Sequence, residues 1–105
     1  MRCDRLPVMF IELWTDDFPV TFDGLVVEAF TRTGNRWHVT QIVEIKIEEG
    51  KKGVQLLSIS AAPNGGFSFA ILPPTSVPVV ATLVAEINRV RHERFGLGLI
   101  RSSLG

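Results

Sequence analysis

The stretch Phe18–Thr31, FPVTFDGLVVEAFT, contains the clearest structural signal in the sequence. Its centre is Asp23-Gly24, a pair of turn residues between two apolar runs. A DG pair in that context predicts a β-hairpin, because both central residues of a tight type I′ turn need positive φ. We therefore expect one strand over Phe18–Phe22 and a returning antiparallel strand over Leu25–Thr31.

Upstream of the hairpin, Val8–Trp14 is predicted to form another strand, separated from it by the polar turn Thr15-Asp16-Asp17. Side chains alternate across a strand, so its two faces can be assigned from the sequence. One face is wholly apolar, with Met9, Ile11 and Leu13. The other is half-apolar, with Val8, Phe10, Glu12 and Trp14. If nothing in the chain covers this second face, it forms an exposed apolar patch, which is typical of an interface.

Downstream, the pattern predicts further strands bounded by turn residues. Arg36–Glu48 alternates, with Trp37, Val39, Val43, Ile45 and Ile47 expected to face inward, but Gln41-Ile42 breaks the alternation and predicts a corner between two sheets. Val54–Ser60 and Phe67–Leu72 are the next strands, the latter with Phe67, Phe69 and Ile71 expected inside. Pro73-Pro74 prevents its continuation, because proline has no N–H for the ladder.

A helix is predicted over residues 76–94, with Ser76 as its N-cap and Pro78 in its first turn. One stripe of residues follows helical spacing, and it is apolar apart from its last member: Val80, Leu83, Val84, Ile87, Val90 and Arg91. Residues 95–105 form a tail without clear periodicity. The arginines near the C-terminus of the helix interact favourably with the negative end of the helix dipole. The apolar tail could instead dock on a membrane or partner, cover a sheet edge or insert between subunits.

This order of elements resembles the pleckstrin-homology-like (PH-like) domains of bacteria. The similar segments are Val20–Val27 around the DG turn, Arg36–Ile45 at the corner, Phe69–Pro73, and the capped helix as far as Glu86-Ile87-Asn88. The resemblance implies a seven-stranded antiparallel barrel, or two bent sheets, capped by helix 76–94. Members that bind phosphoinositides have basic residues in the first hairpin loop, whereas Thr15-Asp16-Asp17 is acidic here, and the fold alone implies no function.

Composition narrows the class of protein. The 105 residues predict one domain, 1–105, with a core over 8–94. Eleven basic and eleven acidic residues give zero net charge, which disfavours nucleic acid as a partner. One cysteine, Cys3, allows no internal disulfide and predicts a reducing, cytoplasmic location. No motif for a metal, a cofactor or a nucleophile is present, so we expect no enzyme and no cofactor.

Two functions remain as expectations. The first is a non-catalytic binding or scaffold module that recognises a protein or a second copy of itself. Its candidate interface residues are Trp14, Phe18, Phe95, Leu97, Leu99 and Ile100. The second, less favoured, is a peripheral module on anionic lipid, for which the candidate anion contacts are Arg32, Arg36, Lys51 and Lys52 together with the basic, apolar tail.

Overall fold

The computed structural model describes residues 10–104 of the chain, so the predictions for Cys3, Val8 and Met9 lie outside the described residues. These residues form eight strands and one long helix, joined by turns and short 3₁₀ segments. The strands are β1 Ile11–Trp14, β2 Pro19–Phe22, β3 Val26–Ala29, β4 Asn35–His38, β5 Ile42–Glu49, β6 Gln55–Ala61, β7 Gly65–Leu72 and β8 Arg101–Leu104, and the helix is α1 Val77–Phe95. The predicted class, mostly β with one C-terminal helix, is confirmed.

The strands form two four-stranded sheets, with orders β1-β2-β3-β4 and β7-β6-β5-β8. No closed barrel forms, and between residues 10 and 104 no strand pair joins the two sheets. The 3₁₀ segment Val39–Gln41 lies between β4 and β5 and interrupts the continuous ladder that barrel closure requires. The seven-stranded, wholly antiparallel arrangement is also wrong, because β8 is an eighth strand and pairs parallel to β5.

One hydrophobic core lies between the two sheets and α1. The helix contributes the stripe predicted from its spacing, with Val80, Leu83, Val84, Ile87 and Val90 all buried. Ile11 and Leu13 face the core from β1, as expected from the alternation. Trp37 is also a core residue, and a Cβ on Gly65 would lie 2.6 Å from its Nε1 atom. Glycine at position 65 therefore lets the start of β7 approach the indole.

The hairpin between β2 and β3 is confirmed, but its turn is not type I′. Of the pair Asp23-Gly24, only Gly24 has positive φ, at 103°. The Asp23 carboxylate oxygen Oδ1 instead accepts hydrogen bonds from the backbone N–H groups of Leu25 (2.9 Å) and Val26 (2.8 Å). The Asp23 N–H donates to the Val26 carbonyl at 3.2 Å, so Gly24 and Leu25 form the tip of the hairpin, one residue later than the Asp23-Gly24 tip that the sequence predicted.

The predicted corner is confirmed as the 3₁₀ segment Val39–Gln41. Directly after it, the register of β5 against β6 is irregular between Ile42 and Glu44. Ile42 is buried as a result and Val43 is exposed, so the prediction that Val43 faces inward is wrong. Local register shifts of this kind turn a side chain to the opposite face of the strand.

A second irregularity reverses the faces of β7. Leu57 pairs with Ala70 and Ile59 with Phe67, so one extra residue of β7 is accommodated between these pairs. Phe69 lies in this bulge with φ of 66°, an uncommon conformation for a bulky residue. Ala70 and Leu72 consequently face the core, and Phe69 and Ile71 face solvent. The inward orientation predicted for Phe69 and Ile71 is wrong.

Ser76 occupies the N-cap position of the helix, as predicted, but its side chain makes no capping hydrogen bond. The Ser76 hydroxyl donates a 2.7 Å hydrogen bond to the backbone carbonyl of Trp14. This contact ties the start of α1 to the end of β1. The helix ends at Gly96 in the left-handed conformation, as the sequence predicted.

Candidate binding face on the first sheet

The outward side of the first sheet is built from alternate residues of adjacent antiparallel strands. In its central row, Glu12 of β1 pairs with Thr21 of β2, Thr21 pairs with Glu28 of β3, and Glu28 pairs with Arg36 of β4. Two residues further along the strands, a row on one side contains Trp14, Pro19 and Phe30. The row on the other side contains Phe10, Asp23, Val26 and His38. We call this surface the aromatic face.

Three large aromatic side chains of the aromatic face are open to solvent. The exposed fractions are 62% for Phe10, 55% for Trp14 and 49% for Phe30. Together with Glu12, Thr21 and Glu28 of the central row they line a shallow cavity of about 450 Å³. A volume in this range is typical of a pocket for a small ligand or a few side chains. Within the described residues, the half-apolar face of the first strand therefore contributes Phe10 and Trp14 to an exposed apolar patch.

The charges on the aromatic face are mostly negative. Glu12, Asp23 and Glu28 line the cavity. The backbone N–H groups of Leu25 and Val26 lower the pKa of Asp23 below its usual range, which keeps this carboxylate charged. Arg36 is the basic residue of the central row, and its Nε lies 3.8 Å from Glu28 Oε1, with the Arg36 side chain 68% exposed. Such an exposed pair contributes little, about 0–1 kcal/mol, to stability.

Phe18, the other interface candidate of this region, does not belong to the aromatic face. Its ring is half-buried and makes an edge-to-face contact with Phe67 of the second sheet, with centroids 5.0 Å apart. The neighbouring turn is also held by the second sheet. Asp17 Oδ2 accepts a 3.0 Å hydrogen bond from the backbone N–H of Ile71, and the Asp16 N–H donates to the Ile71 carbonyl at 2.9 Å. The acidic turn thus joins the two sheets.

The C-terminal candidates divide into buried and exposed residues. Ile100 is only 6% exposed and belongs to the core, and its N–H donates to Asn88 Oδ1 at 2.9 Å. Leu97 is half-buried. Leu99 is 77% exposed, and Phe95 is partly exposed with its ring edge-to-face against His38. Since Ile100 lies inside, the structure does not present the tail as one interface.

Arg91 explains why the tail is folded against the domain. Its Nη1 donates to the backbone carbonyls of Val39 (3.2 Å) and Ile42 (3.1 Å), and its Nε donates to that of Gly98 (3.0 Å). One guanidinium therefore joins the helix to the corner between the sheets and to the tail. We call these hydrogen bonds the Arg91 clamp. After it in the chain, β8 covers the edge of β5, which is one of the alternatives left open by the sequence.

The candidate anion contacts are not assembled by a single element. Arg32 is exposed in the connection between β3 and β4, and Arg36 lies on the aromatic face beside Glu28. Lys51 and Lys52 are exposed in the 3₁₀ segment between β5 and β6. Of the arginines near the tail, Arg89 binds the carboxylates of Glu86 and Glu93, which raises its pKa and lowers that of Glu86.

Within residues 10–104, no three or more histidine, cysteine, aspartate or glutamate side chains cluster in a way that could hold a metal ion. In the same part of the chain, no helix is both long and apolar enough to cross a membrane. No family model, curated protein or solved structure matches the chain.

Sequence reasoning singled out Trp14 but not Phe10, Phe30 or Glu28 as site residues. The signal was in the alternation, which places Phe30 and Glu28 on one side of β3 and Phe10 on the side of Trp14 in β1. What the alternation alone did not supply is the register. The pairing of Glu12 with Thr21 and of Thr21 with Glu28 brings these residues onto one surface.

Proposed function

We propose that this chain is a non-catalytic, PH-like binding module that recognises a protein, either another protein or a second copy of itself, through the aromatic face. The observation that supports this proposal is the exposure of Phe10, Trp14 and Phe30 around one shallow cavity on the outward side of the first sheet. Contiguous exposed aromatic residues are typical of protein-binding surfaces and are uncommon elsewhere on soluble domains.

The order of elements supports the PH-like assignment. An antiparallel four-stranded meander is followed by three further antiparallel strands, and a single C-terminal helix packs on the core between them. The added parallel strand β8 and the open arrangement of the sheets distinguish this chain from a closed barrel. The assignment concerns the fold, so the function is argued from the aromatic face.

The size of the aromatic face favours a short segment as its ligand. If about half of each ring's surface is exposed, the three aromatic residues offer roughly 300 Å² of apolar area. Burying that area contributes about 7 kcal/mol before the entropy of association is subtracted. A standard interface between two folded proteins buries about 800 Å² per partner, so the three rings alone supply less than half of one, whereas they can cover much of a short peptide segment.

Membrane binding is the weaker proposal. It would use Arg32, Arg36, Lys51 and Lys52, of which Arg36 already faces Glu28. Arg89 and Arg91 also engage groups within the domain rather than extending freely from the tail. Sedimentation with anionic vesicles at low salt tests this alternative, and absence of charge-dependent pelleting excludes it.

Site-specific crosslinking tests the proposed module. A photo-reactive residue replaces Phe30 on the aromatic face and, as the matched control, Thr82 on the exposed side of α1. In the producing cells we expect protein adducts, with another protein or with a second copy, from position 30 only. These adducts should disappear when Trp14→Ser is added. Equal yields from both positions, or no adducts at position 30, would contradict the proposal.

A further inference from the structure

We infer that the aromatic face binds an extended protein segment through an arginine or lysine side chain placed between Glu12 and Glu28. The inference rests on the proposed function and specifies the chemistry of the partner. The observation behind it is the arrangement of the rows, in which two carboxylates and a hydroxyl form the centre and aromatic rings flank them.

The spacing of the central row suits one cationic group. Glu12 and Glu28 lie on strands β1 and β3, with Thr21 of β2 between them. Adjacent strands are about 4.8 Å apart, so the two backbones are separated by about 10 Å. A guanidinium or ammonium group above Thr21 lies within reach of both flexible carboxylate side chains. Charge-assisted hydrogen bonds to carboxylates are stronger than neutral ones, and arginine can make two in parallel.

The flanking rows suit the remainder of such a side chain. The rows with Trp14 and Phe10 are each about 7 Å from the central row along the strands. The aliphatic stem of an arginine or lysine can pack against these rings while its charged end reaches the carboxylates. A cation near an aromatic face is additionally attracted by the ring electrons, most strongly by tryptophan. An acidic or uncharged segment would gain only the apolar contacts.

The charges facing the site support a cationic occupant. Glu12, Asp23 and Glu28 are opposed by Arg36. The 3.8 Å separation of Arg36 Nε from Glu28 Oε1 shows that Glu28 already attracts a guanidinium on this surface. Because Arg36 is largely exposed and only loosely paired, a ligand can compete with it at low energetic cost.

Trp14 provides the spectroscopic readout for a peptide titration. The second tryptophan, Trp37, is 7% exposed and buried in the core, so a blue shift of emission on binding reports Trp14. The probes are three blocked peptides, Ac-TVXVT-amide, in which X is arginine, its uncharged isostere citrulline, or glutamate. We expect the arginine peptide to bind about tenfold more tightly than the citrulline peptide. The glutamate peptide should bind weakest.

Matched variants separate the contribution of the carboxylates to peptide binding from that of the apolar surface. Glu12→Gln with Glu28→Gln should abolish the preference for arginine over citrulline. Glu48→Gln with Glu49→Gln, at the exposed end of β5, should leave it unchanged. Circular dichroism verifies that both double variants are folded. Trp14→Phe should remove the signal, which assigns it to Trp14. If the arginine and citrulline peptides then bind equally, the cationic inference is overturned while the proposed binding module stands. If no peptide shifts Trp14 emission, the inference is also overturned.

Two further measurements identify other occupants. Arg2 and Arg5 precede Phe10 in the same chain. A change of Trp14 emission in the Arg2→Gln, Arg5→Gln variant without peptide would assign the site to the chain itself. A change of Trp14 emission with protein concentration would assign it to a second copy. Either result overturns an external basic segment as the ligand, and absence of both supports it.

Discussion

The aromatic face and the segment 95–104 both contain large apolar residues, but the structure treats the two regions differently. On the aromatic face, Phe10, Trp14 and Phe30 stay exposed, because β1 and β3, which contain or adjoin them, bury residues on the opposite side of the sheet. In the C-terminal segment, Ile100 enters the core and β8 joins the second sheet. An apolar residue therefore becomes an interface candidate only if the fold does not bury it.

The Arg91 clamp should have the largest effect on this comparison. Arg91→Leu removes the charged donor and leaves the carbonyls of Val39, Ile42 and Gly98 without it. We expect the free energy of unfolding to fall by about 3 kcal/mol, measured by urea denaturation. Arg94→Leu is the control, since Arg94 is exposed on the same helix. Equal losses in the two variants would show that the clamp does not stabilise the fold.

Burial of Ile100 is the next largest expected effect. Ile100→Ala should lower the free energy of unfolding by about 2 kcal/mol, at the low end for core truncations because the site is near the chain end. Leu99→Ala, on the adjacent exposed residue, should change it by less than about 0.5 kcal/mol. Chemical denaturation of both variants measures the contrast. If Leu99→Ala is the more damaging change, the assigned burial of the tail is incorrect.

The turn that leads into the aromatic face should have a smaller, pH-dependent effect. Asp23→Ala removes the acceptor for the Leu25 and Val26 N–H groups and should cost about 1 kcal/mol at neutral pH. Because folding lowers the pKa of Asp23, its stabilisation is complete above the usual aspartate range and is lost as the pH falls through the folded pKa. The stability difference from wild type should therefore shrink in acid.

Asp23→Asn is the matched control for this pH dependence. Asparagine keeps an acceptor oxygen but does not titrate, so this variant should lose only a few tenths of a kcal/mol at neutral pH. Unfolding curves recorded across the acidic range compare the three proteins. A wild-type advantage over Asp23→Ala that grows as the pH falls has the wrong sign for the proposed hydrogen bonds.

Replacing the exposed tryptophan should have the smallest effect on stability. Trp14→Ser is expected to change the free energy of unfolding by less than about 1 kcal/mol, because more than half of the side chain is already exposed and the core is left intact. The same variant should abolish crosslinking from position 30. Thermal denaturation checks the first expectation. A loss similar to that of Ile100→Ala would indicate that Trp14 packs as a core residue and is not available as a binding residue.

Much of the local structure was predictable from sequence because local rules specify it. The stripe from Val80 to Val90, the alternation in β1 and the hairpin after Phe22 follow from helical and strand periodicity and from turn residues. The exposure expected for Trp14 followed from the same alternation. These features depend on residues close together in the chain, so the order of side chains is sufficient to indicate them.

The remaining features depend on contacts between residues that are far apart in the chain. The bulge at Phe69 reversed the faces of β7, and the parallel pairing of β8 with β5 placed Ile100 inside. Arg91 bonds to carbonyls about fifty residues away, and the aromatic face exists because β1, β2 and β3 align in one register. Each of these outcomes depends on competition between distant partners for backbone hydrogen bonds and buried space. Periodicity along the chain contains no information about that competition.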